Sequence, residues 1–273
     1  MKKFPLLDIV DFSADFMLPG SVLYVPGAEK TVKPAKYFLS NTRFSYALLK
    51  NDTHFEGEYE HSVESGPFEF HQGFGTKGHQ YQLSLDHVNA LEKYWMLKNA
   101  FDMWGSADIG IPFDEIKFHS NEERRAYLGL FHIAIQNKKG MYFFGEHRDS
   151  FISRVQKSGV NEVVVFGHAT DYCVRDAMLG YLARGFKVIL IEDLCRGIWD
   201  TSLLGGVSNL DELIEHCPLV DYVNGTVMHR SVFKDALTNG NLTVTTSKKF
   251  IKDNPEMGCL NKIEKLAKKN KIR

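Results

Sequence analysis

The run Asn161-Glu162-Val163-Val164-Val165-Phe166 constrains this chain more than any other stretch. It is short, β-branched and uninterrupted, which is the pattern of a strand buried on both faces of a parallel sheet. From Asp171 the period changes. Val174, Ala177, Met178, Tyr181 and Leu182 recur at helical spacing, and Arg184-Gly185 is a stop signal. Val188 to Ile191 then reads as the next strand. Strand, helix and strand in succession make a βαβ unit with a right-handed crossover.

Other segments extend the pattern. Leu6 to Phe12 and Phe44 to Leu49 read as strands, and Met141 to Phe144 reads as another. The expected fold is α/β: an open, doubly wound parallel sheet of about six strands flanked by helices, in a single domain over residues 1–273. Residues 83–137 are expected to form a helical insertion with two helices, the second opening on the capping-box pattern Ser120-Asn121-Glu122-Glu123. Residues 247–273 are expected to be a basic C-terminal extension, solvated despite its lysines.

Composition excludes several classes. Lys and Arg number 33 against 34 Asp and Glu, so no overall basic field is available for nucleic acid. The apolar runs are too short to span a bilayer, and no membrane association is expected. Asp8, Asp11 and Asp15 interrupt what would be the apolar core of a secretory signal. Four cysteines in 273 residues do not make a disulfide framework, and a reducing cytoplasm is the expected compartment.

Cys173 stands in the first turn of the helix that follows the best strand. Ligands of open α/β sheets bind at the carboxyl ends of strands, and a helix N-terminus favours a thiolate and offers N–H groups to an oxyanion. A buried structural thiol is the alternative, and Cys195, Cys217 and Cys259 are read that way. Asp11 ends the first strand, where a loop cap is the commoner role. Lys139 precedes a strand, where a lysine is usually a solvated flank. Asp52-Thr53-His54 puts a carboxylate and an imidazole on one face, with Glu64, His71 and His79 downstream and Glu58, Glu60 and His61 as near competitors. Such a set suits Zn²⁺, Fe²⁺ or Mn²⁺. Gly73 to Gly78 spells G-x-G-x-x-G, but no strand precedes it and no helix follows, so dinucleotide binding is not expected.

Four stretches together resemble the isochorismatase-like cysteine hydrolases, and within them the nicotinamidases. Asp11-Phe12-Ser13-Ala14-Asp15-Phe16 with Pro19-Gly20 resembles the family's D-x-x-x-D-F…P-G, and Asp52-Thr53-His54 its D-x-H. His71 to Gly78 resembles H-x-x-x-G-T-x-G, and Gly167 to Val174 with Asp193 to Gly197 resembles G-x-A-T-D-Y-C-V…D-x-C-R-G. The resemblance implies a nucleophile at Cys173, a general base at Asp11 and a third triad member at Lys139, with Lys138 as its rival. It implies a divalent metal, Zn²⁺ first with Fe²⁺ or Mn²⁺ as alternatives, held by Asp52, His54, His71 and Glu64. A cis His168–Ala169 peptide would shape the oxyanion hole, and Phe16 and Phe68 would sandwich the substrate ring. The implied reaction is hydrolysis of nicotinamide to nicotinate and ammonia through a thioester, by an enzyme that forms homo-oligomers. A related amidase for another small amide, carbamoyl or ureido compound is the alternative, and a catalytically silent binding protein is a third reading. About 60 residues separate Gly78 from Lys139, whereas the family reaches its lysine soon after that loop.

Overall fold

The structure is a computed structural model that describes residues 3–106, 113–198 and 228–258. The βαβ unit anticipated from sequence is present: β6 (Glu162–Gly167), α5 (Arg175–Ala183) and β7 (Lys187–Ile191), with β6 and β7 parallel. Around it the sheet contains β1 (Leu6–Val10), β2 (Phe44–Asp52), β3 (Ala90–Lys98), β4 (His132–Gln136), β5 (Tyr142–His147) and β8 (Leu242–Thr245). The order is β5-β4-β3-β2-β1-β6-β7-β8. Six strands, β3 through β8 in that spatial order, are parallel, and β4 and β5 add an antiparallel hairpin beside β3.

Every residue of β1 and β2 is buried, so both faces of the sheet centre are covered. The cover comes from α2 (Val32–Asn41), α4 (Arg148–Lys157), α5 and α6 (Met228–Thr238), with the short α1 (Ala14–Met17), α3 (Asn121–Leu128) and α7 (Ser247–Asp253). Phe38 of α2 stacks edge-on against Phe166 of β6 and Phe250 of α7. Phe151 of α4 does the same against Tyr46 of β2.

Two expectations about organisation are corrected. Residues 83–137 are not a helical insertion. Among the described residues they contain one α-helix, α3, together with the parallel strand β3 and the strand β4. The Ser120 cap is present, its Oγ accepting from Glu123 N at 3.0 Å. The chain from residue 247 onward is not an appendage from its start, because Ser247 and Phe250 are buried and α7 packs on α2. The lysines from 262 onward, like Cys217 and Cys259, lie outside the described residues.

The chain leaves β1 toward β2 on one side and returns through β6 on the other. The carboxyl ends of β1 and β6 therefore flank a topological switch point, where open α/β sheets bind ligands. The two strands approach closely there. Gly167 has φ +141, and a Cβ on it would lie 1.9 Å from Val10 O. Only glycine fits.

Candidate active site and metal centre

Asp11 follows β1 with φ +49, an uncommon backbone state for a residue with a side chain. Its N–H donates to Lys50 O at 3.1 Å, and its Oδ1 accepts from Asp52 N at 2.9 Å. The turn thus holds the carboxylate over the end of β2. The other oxygen lies 3.0 Å from Lys98 Nζ. Lys98 is the last residue of β3 and pairs in register with Asp52. Its ammonium also reaches Asp52 Oδ1 at 3.3 Å and donates to Cys173 Sγ at 3.6 Å. Cys173 sits in a π-helical turn, Thr170–Val174, between β6 and α5. Asp11, Lys98 and Cys173 thus converge from three strand ends and are buried.

The lysine expected at this position was Lys139. The structure corrects this: Lys139 and Lys138 are exposed in the turn between β4 and β5, while Lys98 lies against Asp11 and Cys173. A signal for Lys98 exists in the sequence, because it follows the Gly-Thr-x-Gly loop closely and ends the stretch Tyr94-Trp95-Met96-Leu97.

The charges are interdependent. Burial pushes the Cys173 thiol well above its usual range, against the pull of Lys98. Burial also raises the Asp11 carboxyl, although Lys98 opposes it. Burial disfavours the Lys98 ammonium, but Asp11 and Asp52 outweigh it and hold its pKa well above the usual value. Lys98 thus favours the charged forms of both Asp11 and Cys173, against the burial that opposes them.

Next to Lys98, Asp52, His54, Glu64 and His71 each offer an atom to one point, all within 4.8 Å of one another and all buried. His54 Nε2 is 3.3 Å from Asp52 Oδ2 and 3.4 Å from Glu64 Oε2. His71 Nε2 is 3.2 Å and 3.3 Å from the same two oxygens. Nitrogen and oxygen donors held this close together can share one small divalent cation. Asp52 Oδ2, both Glu64 oxygens, His54 Nε2 and His71 Nε2 have no hydrogen-bond partner. Buried polar atoms are rarely left so. Burial disfavours a charged His71 ring, yet the adjacent Asp52 and Glu64 carboxylates raise its pKa to about 9. The cluster calls for positive charge, and the four residues fit a divalent metal ion.

Motif residues outside the cluster build its walls. Asp15 Oδ2 accepts from Gln72 N at 2.8 Å and fixes the turn after His71. A Cβ on Gly78 would lie 2.1 Å from that oxygen, so the glycine makes room for it. Tyr59, which sequence reasoning did not single out, packs edge-on against both the His54 and His71 rings. Its hydroxyl donates to Phe68 O and Glu69 O, each at 2.8 Å. Asp171 accepts from Ile198 N, and Asp193 accepts from Ser247 N and Oγ, so these motif aspartates tie loops together. Phe16 and Phe68 both face the His71 ring edge-on, at 5.6 and 6.3 Å. Phe68 continues into Tyr172 and Phe101. The His168–Ala169 peptide is cis, and both residues are buried. His79 lies outside the cluster and shares a 2.9 Å hydrogen bond with Thr53 Oγ1.

A model of the isochorismatase domain matches residues 133–202. The nicotinamidase of Escherichia coli (strain K12) is 49% identical over 39 residues, which are 14% of this chain and 18% of that enzyme's length. Among solved structures, the L. infantum protein in complex with nicotinate shares 18% identity at a TM-score of 0.54, covering 90% of this chain and 94% of its own. The Acinetobacter baumanii nicotinamidase/pyrazinamidase gives 16% and 0.53, covering 92% and 99%. An isochorismatase-like hydrolase from Alkaliphilus metalliredigens gives 15% and 0.53, covering 92% and 99%. At these identities the structures share a fold with this chain. The stretch matched by the isochorismatase domain contains Cys173, and the fold is the one these solved structures share, with nicotinamidases and pyrazinamidases prominent among the proteins this chain resembles.

Proposed function

We propose that this protein is a metal-dependent cysteine amidohydrolase that converts nicotinamide to nicotinate and ammonia. The observation that carries the reading is the meeting of Asp11, Lys98 and Cys173 beside four convergent metal-ligating side chains. Asp11 takes the Cys173 proton, and the Lys98 ammonium offsets the thiolate charge. The sulfur attacks the amide carbon, and the N–H groups of Ala169 and Cys173 receive the carbonyl oxygen as it gains charge. Asp11 returns its proton to the nitrogen, the C–N bond breaks and ammonia leaves. Water then attacks the thioester, and Asp11 accepts its proton and passes it to the sulfur as the S–C bond breaks, restoring the thiol and the Asp11 carboxylate and releasing nicotinic acid, which ionises to nicotinate.

A divalent ion held by Asp52, His54, Glu64 and His71, with Zn²⁺ preferred over Fe²⁺ or Mn²⁺, would supply Lewis acidity beside the scissile amide. Phe16 and Phe68 orient a flat ring against His71, which suits a pyridine carboxamide better than a flexible carbamoyl chain. The short stretch shared with the Escherichia coli nicotinamidase supports the same substrate. The test is ammonia release from nicotinamide, pyrazinamide and a carbamoyl amino acid by metal-supplemented protein. Release from the two ring amides, at least about 100-fold faster than from the carbamoyl compound, is expected. Release from the carbamoyl compound alone would overturn the substrate assignment.

A further inference from the structure

Glu58 belongs to no motif and is fully buried four residues beyond His54. The chain folds back at Tyr59–His61, with Glu58 N–H donating to Phe55 O, and this turn points the carboxylate at the far side of the His54 ring. Glu58 Oε2 lies 3.4 Å from His54 Nδ1 and accepts from Phe55 N at 3.1 Å. Glu58 Oε1 accepts from Asn99 Nδ2 at 2.8 Å. Asn99 is itself buried and follows Lys98 directly.

The two ring nitrogens of His54 therefore have separate tasks. Nε2 faces Asp52 and Glu64, and Nδ1 faces Glu58. A carboxylate on the outer nitrogen of a histidine fixes the tautomer, orients the ring and raises its strength as a metal ligand. Through Asn99 the same carboxylate fastens the end of β3, where Lys98 is placed, to the end of β2, where Asp52 is placed. We infer that Glu58 is a positioning residue that holds His54 in its metal-binding tautomer and joins the metal cluster to the Lys98 strand end. This rests on the reading of Asp52, His54, Glu64 and His71 as a metal site.

The experiment is titration of chelator-stripped full-length protein with Zn²⁺ by calorimetry and with Co²⁺ by visible absorption. Wild type, Glu58→Gln and Glu58→Ala are compared, with the thermal midpoint of each metal-free protein measured alongside. Glu58→Ala is expected to weaken binding about 10- to 100-fold and to change the Co²⁺ spectrum. Glu58→Gln keeps an acceptor for Nδ1 while losing the charge, so a smaller loss is expected, which also covers the case in which Glu58→Ala does not fold. Equal affinities and spectra in folded wild type and variants would overturn the role of Glu58, even if the variants' thermal midpoints fall. Failure of the wild type to bind either ion would overturn the metal site itself, and the inference with it.

Discussion

Buried charge in this protein is matched partner by partner, and the matching is testable one residue at a time. Beneath the site, Lys50 Nζ lies 2.8 Å from Asp8 Oδ2 and donates to Met103 Sδ, with both charged side chains fully buried. Removing one member of such a pair strands the other charge in the core. Lys50→Met is expected to cost about 3–5 kcal/mol, whereas Asp8→Leu with Lys50→Met is expected to recover most of that loss, because the desolvation penalty disappears with the pair. Urea unfolding of the three proteins checks this. His168 presents the opposite case. Its pKa is lowered to about 3, chiefly by burial, against an ordinary value of 6.5. In the folded protein the ring stays neutral, 3.2 Å from Thr31 Oγ1. Between pH 6.5 and 3 the unfolded chain binds a proton that the folded chain does not. Stability from His168 is thus whole above pH 6.5 and is lost as pH falls, with a limiting slope of about 1.4 kcal/mol per pH unit. The stability advantage of wild type over His168→Asn is expected to shrink between pH 7 and 4. An advantage that grows on acidification would contradict it.

At the scale of elements, the junction of β1 and β6 carries the tightest steric demand. Gly167→Ala would drive a methyl group into Val10 O and is expected to cost more than about 3 kcal/mol. Gly185→Ala, at φ +78 after α5 with nothing within 4 Å, is expected to cost only about 1 kcal/mol. Denaturant midpoints for the pair separate close packing from backbone preference. The strands around this junction were legible because β1 and β2 are buried throughout and β6 and β7 over most of their length, so all four carry apolar runs. β3 was not, because its first half carries the exposed Leu91 and the partly exposed Glu92 and Lys93 at a sheet margin covered by the hairpin. Missing β3 misplaced the lysine as well, since the position of Lys98 has meaning only as the end of that strand. β8 is four residues long and partly exposed, too short to rise above its flanks. The metal-ligating residues were visible for a different reason. Carboxylate and imidazole two apart at a strand end share a face whatever the surrounding loops do. Tyr59 escaped because its partners come from a fold-back that has no period in the sequence, and Glu58 was visible only as one of several acidic or imidazole neighbours of His54.

At the scale of the whole molecule, six parallel strands direct their carboxyl ends to one edge, and that edge gathers the charged groups buried around the switch point. β1 brings Asp11, β2 brings Asp52, β3 brings Lys98, and the turn after β6 brings Cys173. The loop between β2 and β3 adds Glu64 and His71, and no helix among the described residues is long and apolar enough to cross a membrane. The proposed function requires this convergence to hydrolyse nicotinamide with Lys98 as the working lysine. The most direct measurement is ammonia release from nicotinamide at saturating metal by wild type, Cys173→Ala, Lys98→Met and Lys139→Ala side by side. Turnover by wild type is expected, with loss of at least about 1,000-fold in Cys173→Ala and about 100-fold in Lys98→Met, and activity within about twofold of wild type in Lys139→Ala. No turnover by the metal-loaded wild type, or loss of activity in Lys139→Ala with Lys98→Met intact, would contradict it.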